Sequence, residues 1–366
     1  MRLASVEVIP YALPFRKPYV TARGTLTQRE MALLRLRTDE GLVGLGEAVP
    51  LSLRGGASLA RVVSELERLR DLPGLTAGGL LDEAALGGHT IGLSAPARCA
   101  ALTALIDLRA QVAPSWRFGT PSATKGQLDG AAQPIACNAT LVAGDPSTVA
   151  ESALCWAEEG YSTFKLKLGA GDDVGQVRAV REAIGPDARI RVDANAAWDL
   201  ETAKLKLAEL EPLSIELAEQ PVATLEEMAE LARSTSIPLA ADESVASRDD
   251  AERAAALGAC EFTGIKLSKV GGPEQAVEIA DVLPAYLSSA LDGPVGIAAA
   301  AQVAQTLHES DRPERLDLAH GLATQRLFAS TIAAVECELR DGNLFAPPGP
   351  GLGVEIDEDA LQAHRL

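Results

Sequence analysis

Two lysines, Lys165 and Lys167, stand one residue apart in the strand-forming stretch TFKLKLG. Side chains alternate between the two faces of a strand, so both ammonium groups are expected on one face. One interpretation is a solvated edge strand, in which lysine discourages aggregation. The other interpretation is a pair of lysines that take part in a reaction. The residues of the later strands distinguish between these two interpretations.

Charged and polar side chains also occur at or near the ends of the next predicted strands. Asp193 and Asn195 lie in VDAN, Glu219 in AEQP, Asp242 in ADES and Lys266 in GIKLSK. Glu219 follows Asp193 by 26 residues, Asp242 follows Glu219 by 23, and Lys266 follows Asp242 by 24. Each step is about one strand and one helix long. We therefore expect these groups to converge at one end of a sheet.

Each of these residues also has an ordinary interpretation when it is taken singly. Asp193 or Asp242 could cap a helix, and Glu219 could be a solvated loop carboxylate. Lys266 could be a surface lysine, and the nearby Lys269 is expected to be one. Independent caps and surface charges would not fall on consecutive strands with lysines on both sides of the acids, so the set favours a functional site.

Three carboxylates with lysines before and after them in the sequence fit an enzyme that removes a proton from the carbon next to a substrate carboxylate. Acidic oxygens from adjacent strands suit a hard divalent cation, and Mg²⁺ leaves positions open for water or substrate. A lysine must be neutral to accept the proton. Lys165 is predicted to lower the pKa of Lys167 by like-charge repulsion, which would let Lys167 act as the base.

The elements that must position these residues alternate along the second part of the chain. Eight short apolar strands, from PIACNATLV to LDLAHGLAT, alternate with amphipathic helical runs. This pattern predicts a parallel (β/α)8-type barrel with its chemistry at the carboxyl ends of the strands. An open doubly wound sheet is the alternative, but no GxGxxG follows the first strand.

The residues before 113 show a different pattern of predicted strands and helices. Two strand-like runs joined at Asp39-Glu40-Gly41 are followed by two helix-like runs, which predicts an α+β unit. A stretch rich in Gly, Pro, Ser and Thr, residues 119–134, reads as the linker to the barrel.

The composition and net charge of the chain limit the kinds of molecule that the protein is expected to bind. The 366 residues carry a net charge of −18 with 47% hydrophobic residues, which disfavours nucleic acid and anionic membranes and favours a small-molecule substrate. The five scattered cysteines, without a CxxC pair, and the lack of a signal-type apolar core predict a cytoplasmic protein. We find no apolar run long enough to span a membrane. The oligomeric state is left open, and a homo-oligomer is compatible with the chain.

The combined motif of KxK, VDAN, EQP, ADES and IKLSKVGG resembles the enolase superfamily, in its mandelate racemase/muconate-lactonizing subgroup. The resemblance implies an enolase-like modified TIM barrel at residues 129–340, an α+β capping domain at 1–128, and a segment at 341–366 that returns to it. It also implies assignments for the charged residues: Mg²⁺ (or Mn²⁺) held by Asp193, Glu219 and Asp242, with Lys167 as base, Lys266 opposite it and Lys165 in support.

The later strands bear on the reaction. Dipeptide epimerases of this family carry an acidic pair at strand eight, whereas this chain has Gly321 to Thr324 there, which counts against a cationic substrate. Ser288, Ser289 and the turn from Gly293 to Gly296 before a helix resemble o-succinylbenzoate synthases and suit a negative group.

Two substrate loops are expected, one around FRKPYVTARGTLTQRE and a second at AVPLSLRGG. The first contains Arg16, Lys17, Arg23 and Arg29, which is consistent with an anionic ligand, and Arg23 is our candidate for contact with it. The expected reaction is thus o-succinylbenzoate synthesis in menaquinone biosynthesis. N-succinylamino acid racemisation or dipeptide epimerisation is the alternative, and muconate cycloisomerisation comes third.

Overall fold

The amino-terminal unit is an antiparallel sheet with helices on one side. The computed structural model describes residues 3–21, 24–51, 55–71, 92–112, 133–308 and 318–366. The sheet order is β1-β2-β3, and the elements of this unit are β1 (Leu3–Thr21), β2 (Gly24–Thr38), β3 (Val43–Ala48), α1 (Leu59–Glu67), a 3₁₀ turn (Arg68–Asp71) and α2 (Ala95–Val112).

Glycines in β3 allow α2 to pack closely on the sheet. A Cβ at Gly46 would lie 2.0 Å from the carbonyl oxygen of Ala100, and one at Gly44 would lie 2.2 Å from that of Ala104. Any larger residue would therefore push helix and strand apart. The expected α+β unit is thus held by direct backbone contact between a strand and a helix.

The barrel strands run parallel in the order β11-β10-β9-β8-β7-β6-β5. They are β5 (Ala139–Leu141), β6 (Thr163–Lys167), β7 (Arg189–Asp193), β8 (Ile215–Glu219), β9 (Leu239–Ala241), β10 (Phe262–Ile265) and β11 (Ala285–Leu287). The helices between and after them are α3 (Pro146–Glu158), α4 (Asp173–Ile184), α5 (Leu200–Leu210), α6 (Leu225–Ala232), α7 (Arg248–Leu257), α8 (Leu267–Val270), α9 (Pro273–Ala280) and α10 (Pro294–His308).

An eighth segment closes this sheet. His320 donates its backbone N–H to Ala136 and accepts from Asn138 on one side. Gly321 donates to Leu287 on the other side, where β11 ends. Strand eight is therefore reduced to isolated bridges, and these bridges join the first and last strands of the barrel. The predicted (β/α)8-type fold is confirmed.

The chain after the barrel returns to the amino-terminal unit. Its elements are β12 (Ala333–Val335), β13 (Glu338–Arg340), β14 (Asn343–Phe345), β15 (Glu355–Ile356) and α11 (Glu358–His364), and β14 also pairs with β4 (Ile135–Ala136). Leu366 donates its N–H to Pro10, and Arg35 pairs with Glu358 at 2.7 Å. The boundaries 1–128, 129–340 and 341–366 stay a prediction, because the expected linker lies mostly outside the described residues.

The first expected substrate loop, FRKPYVTARGTLTQRE, consists largely of strand in the structure. Its described residues form the end of β1 and the start of β2 rather than a free loop. The pairing shifts between Pro14 and Tyr19, where Phe15 to Pro18 face the single Thr27, so the edge of the hairpin bulges.

No helix in the described ranges is long and apolar enough to cross a membrane.

Candidate active site

The two lysines of the opening motif are buried inside the barrel. Lys165 and Lys167 are 3% and 6% exposed on β6, which has hydrogen-bonded neighbours on both sides. Lys165 Nζ lies 2.6 Å from Glu219 Oε2 and 2.9 Å from Asp193 Oδ2. Lys167 Nζ lies 2.5 Å from Asp193 Oδ2 and donates to Asn195 Oδ1 at 3.2 Å. The solvated edge-strand interpretation is therefore wrong.

The acidic residues stand where the barrel strands end. Asp193 is the last residue of β7 and pairs in register with Lys167 on one side and Glu219 on the other. Asp242 comes directly after β9, and all three carboxylates are at most 1% exposed. Parallel strands end at one edge of the sheet, so these residues come together as the spacing predicted.

Lys266 completes the set from the opposite side. It comes directly after β10 and donates to Asp242 Oδ2. Lys269 donates to Asp242 Oδ1 at 2.9 Å and to the Asp242 carbonyl, and its side chain is only 8% exposed. Our expectation of a surface lysine at 269 is therefore wrong: the single turn of α8 carries Lys269 back over the end of β9.

The carboxylates dominate the proton affinities of the lysines. Burial lowers the pKa of Lys165, but Asp193, Glu219 and Asp242 outweigh it, and the pKa is raised. Burial, the largest single cause, likewise lowers the pKa of Lys167, but Asp193, Tyr19 and Glu219 together outweigh it, so the net shift is also upward. Lys165 does push this pKa down, as expected, but the predicted net lowering is wrong in this arrangement. Burial raises the pKa of Asp193, and the two lysines reverse that shift.

The donor set fits a hard divalent cation by its chemistry. Asp193, Glu219 and Asp242 supply carboxylate oxygens from three neighbouring strands, which is the ligand type that Mg²⁺ prefers. Glu219 Oε1 is buried and has no hydrogen-bond partner among the described residues. Within the same residues no three acidic, His or Cys side chains already form a cage. Instead, lysine ammonium groups contact at least one oxygen of each carboxylate, and Asp193 Oδ1 accepts the N–H of Asn195.

Tyr286 is a contributor that our sequence analysis missed. Its hydroxyl donates to Glu219 Oε2 at 2.5 Å, and its ring lies 5.0 Å from the Arg191 guanidinium carbon. Burial, and then the Glu219 charge, raise its pKa well above the ordinary value. Gly264 leaves room for the ring, since a Cβ there would lie 3.2 Å from the phenol oxygen. The alternation in AYLSS, with Tyr286 and Ser288 on one face, was the available signal.

The lysines open onto a cavity between barrel and cap that has about 780 Å³ of empty space, part of which is open to solvent. Its described wall includes Lys165, Lys167, Lys266 and Arg29 and contains no carboxylate. The neutral and apolar part of the wall consists of Tyr19, Thr21, Leu26, Leu51, Thr140, Asn195, Ser288, Ser289, Ala290, Leu291, Gly321 and Thr324. Arg23, the predicted contact of the loop, lies outside the described residues.

The two predicted serines differ in their surroundings. Ser288 pairs with Gly321, where a Cβ would lie 2.9 Å from Ser288 Oγ, so a side chain at 321 would require the Ser288 hydroxyl to move. Ser289 Oγ donates to Asp292 Oδ2 and accepts from the Asp292 N–H, both at 2.8 Å. Ser289 thus belongs to a local turn as well as to the cavity wall.

The amides expected to bind a substrate anion are already occupied. Gly293 donates its N–H to Glu47 Oε1 at 2.6 Å, and Tyr11 donates to Glu47 Oε2 at 2.8 Å. Burial and the nearby Asp292 raise the pKa of Glu47 to about 7. The helix N-terminus therefore binds a carboxylate of the cap, and our assignment of these amides to a substrate is wrong.

Comparison with known proteins identifies the family. Residues 4–115 match the family model for the mandelate racemase / muconate lactonizing enzyme N-terminal domain, and residues 148–360 match the enolase C-terminal domain-like family. The chain is a member of the enolase superfamily. Enzymes of this group are isomerases and lyases, and the expected family, fold and enzyme class are confirmed.

Individual relatives of this superfamily member have different activities. Muconate cycloisomerase 1 of Rhodococcus opacus is 30% identical over 376 residues, covering 99% of this chain and 98% of that protein. The o-succinylbenzoate synthase of Thermobifida fusca is 37% identical over 205 residues, covering 54% of this chain and 62% of that protein. The superfamily assignment therefore does not select one reaction.

Solved structures give the same result. Muconate lactonizing enzyme from Pseudomonas fluorescens, complexed with muconolactone, superposes with a TM-score of 0.88 at 27% identity, covering 100% of this chain and 99% of that chain. Dipeptide epimerase from Enterococcus faecalis, complexed with Mg and the dipeptide L-Leu-L-Tyr, gives 0.85 at 26% identity, covering 97% and 100%. Relatives with this fold thus bind small molecules, and this epimerase does so together with Mg.

Proposed function

We propose that this protein is a Mg²⁺-dependent enzyme that removes a proton α to a carboxylate, and that its main reaction is o-succinylbenzoate synthesis. One observation carries the choice of substrate: the described wall of the cavity presents Arg29 and three lysines but no carboxylate. Such a wall favours a substrate with two negative groups and disfavours one with a free ammonium. The local identity of 37% to an o-succinylbenzoate synthase supports the same choice.

The residues take distinct parts in this proposal. Lys167 Nζ, at the mouth end of β6, accepts the α-proton in its neutral form. A divalent cation bound to Asp193 would offset the negative charge that raises the pKa of Lys167 and would favour that form. Lys266 Nζ faces the reacting carbon from β10 and stabilises the negative charge that develops there. Lys165 lies two residues deeper in the barrel and holds the carboxylates in place. Bound by Asp193, Glu219 and Asp242, Mg²⁺ would neutralise charge at the substrate carboxylate.

The second candidate is racemisation of N-succinylamino acids. Lysines on both sides of the cavity, Lys167 and Lys266, are what a two-base racemisation requires, and both line it. Dipeptide epimerisation is less favoured, because Gly321 and Ala323 leave strand eight without an acidic pair. Muconate-type cycloisomerisation comes third and is supported by the full-length match to muconate cycloisomerase 1.

A substrate panel tests the proposal. Purified protein with Mg²⁺ would be assayed on the o-succinylbenzoate precursor, an N-succinylamino acid, cis,cis-muconate and an L-Ala-L-Glu dipeptide, with α-proton exchange followed by NMR in D₂O. We expect the highest kcat/KM on the precursor. A higher kcat/KM on the dipeptide would contradict the substrate choice, and no exchange with any compound would contradict the reaction class.

A further inference from the structure

A second opening adjoins the reaction cavity. It lies between residues 16–20 of β1, residues 148–156 of α3 and the 3₁₀ turn Ala323–Leu327, and we call it the side groove. It encloses about 1120 Å³ of empty space, part of which is open to solvent. Tyr19 and Thr140 line both the side groove and the reaction cavity, so the two spaces adjoin at these residues.

The groove combines an apolar floor with a basic rim. Val149 and Trp156 of α3 are buried in it, and Leu141 continues the apolar surface. Arg16 and Lys17 lie exposed on the bulge of β1. No acidic residue is among the described residues that line the groove, although the whole chain has a net charge of −18.

Arg326 forms the opposite edge of the groove. Its guanidinium carbon lies 4.9 Å from the centre of the Trp156 ring, and its Nε donates to Glu159 at 2.5 Å. Glu159 therefore offsets the charge of Arg326, whereas Arg16 and Lys17 have no acidic partner among the described residues. Burial, and then the nearby Arg16, lower the pKa of Arg326, which agrees with two cations facing the same space.

We propose that the side groove holds the distal arm of the substrate, and that this arm is an apolar acyl or aryl chain that ends in a carboxylate. The reacting end lies at the lysines, the arm leaves the barrel mouth between Tyr19 and Thr140, and its terminal carboxylate meets Arg16 and Lys17. This inference rests on the proposed function for the position of the reacting end. Its own basis is the floor of apolar side chains and the positive charge of the rim.

Cys155 provides a direct probe of occupancy. It lines the groove and is exposed, whereas Cys99, Cys137, Cys260 and Cys337 are buried. Alkylation by iodoacetamide, followed by mass spectrometry, therefore reports on the groove at one thiol. The probes are N-succinyl-, N-octanedioyl- and N-octanoyl-phenylalanine, and the protein is the Lys167→Ala variant, so that no turnover takes place during the measurement.

We expect the two probes whose arm ends in a carboxylate, N-succinyl- and N-octanedioyl-phenylalanine, to slow alkylation of Cys155 more than N-octanoyl-phenylalanine does. Double reversal, Arg16→Glu with Lys17→Glu, should weaken this protection about tenfold, as two partly solvated ion pairs would. The matched control, Arg178→Glu with Arg233→Glu, makes the same change of charge on α4 and at the end of α6 and should leave protection unchanged.

Three results would overturn the inference. The octanoyl compound could protect Cys155 as well as the octanedioyl compound does, or the Arg16/Lys17 variant could show the same protection as the protein without these changes. Octanedioic acid alone could also protect Cys155 equally well without competing with the amino acid derivatives. The last result would mean a separate anion site. The proposed function is judged independently, because α-proton exchange in the wild-type protein can fail while Cys155 protection succeeds, or the reverse.

Discussion

At the scale of single residues, the site is a network in which each carboxylate is held by more than one donor. Asp193 forms ion pairs with Lys165 and Lys167, and Asp242 forms ion pairs with Lys266 and Lys269. Glu219 forms an ion pair with Lys165 and accepts a hydrogen bond from Tyr286. Buried charges persist in a protein only when they are paired and hydrogen-bonded. Removal of one partner therefore affects the whole network rather than one contact.

The lysines can be tested singly. Lys167→Ala should abolish product formation because the base is lost, and Lys266→Ala should remove most turnover because charge stabilisation is lost. Each change should cost on the order of 10² or more in kcat. Lys204→Ala, on the outer face of α5, is the control and should keep its rate. Turnover of Lys167→Ala near that of the wild type would mean that another group is the base.

Glu219 tests the metal assignment at the residue level. Glu219→Gln keeps the size of the side chain but removes a charged ligand, so Mg²⁺ binding measured by calorimetry should weaken by at least about tenfold. Circular dichroism should show that the variant is folded. Glu226→Gln, on the exposed face of α6, is the control. Unchanged Mg²⁺ affinity in Glu219→Gln would contradict its role as a ligand.

At the scale of elements, one helix joins the cap to the barrel. The N-terminus of α10 receives Glu47 from the end of β3, and the same carboxylate accepts from Tyr11 of β1. Asp292, just before α10, is held by Ser289 and the N–H of Ala290. Two buried carboxylates thus share one helix end, and Asp292 is the second-largest cause of the raised pKa of Glu47, after burial.

This contact predicts a pH dependence of stability. The pKa of Glu47 rises from 4.5 to about 7 on folding, so its stabilising contribution is full below about 4.5 and is lost as the pH rises toward 7. The change is on the order of 3 kcal/mol. Glu47→Gln does not titrate, so urea unfolding of the wild type and the variant should diverge across this interval. Parallel curves would show that Glu47 does not hold the extra proton.

At the scale of the whole molecule, the reaction cavity belongs to neither domain alone. Barrel strands supply the lysines and acids, and the cap supplies Tyr19, Leu26, Arg29 and Leu51 to the opposite wall. The carboxyl-terminal segment pairs with β1 through Tyr11 and Arg365, which ties the cap to the chain end. Cap and barrel must therefore stay together for the cavity to exist.

Chelation tests the cofactor for the complete enzyme. Activity should vanish in EDTA and return with Mg²⁺ or Mn²⁺. The melting temperature should rise with Mg²⁺, since a ligand at one hundred times its Kd adds about 2.7 kcal/mol to the stability of the folded state. Full activity in EDTA would exclude the assignment, and Ca²⁺ serves as a control for a general effect of ionic charge.

The sequence by itself determined which residues meet at the barrel mouth. Lys167, Asp193 and Glu219 end successive strands, and Asp242 and Lys266 come directly after theirs. Strand periodicity and the length of a strand–helix unit are local properties of the chain, so spacing alone was enough to place them. The family resemblance rests on the same local motifs.

Only the tertiary structure decided the contacts between distant parts. Glu47 and Gly293 are 246 positions apart, and no local pattern shows that a cap carboxylate fills the helix end that we had assigned to the substrate. Tyr286 reaches Glu219 across the barrel, and Lys269 folds back onto Asp242. The pKa of Lys167 likewise depends on the distance to Asp193, because Coulomb interactions in a buried site follow separation in space rather than position along the chain.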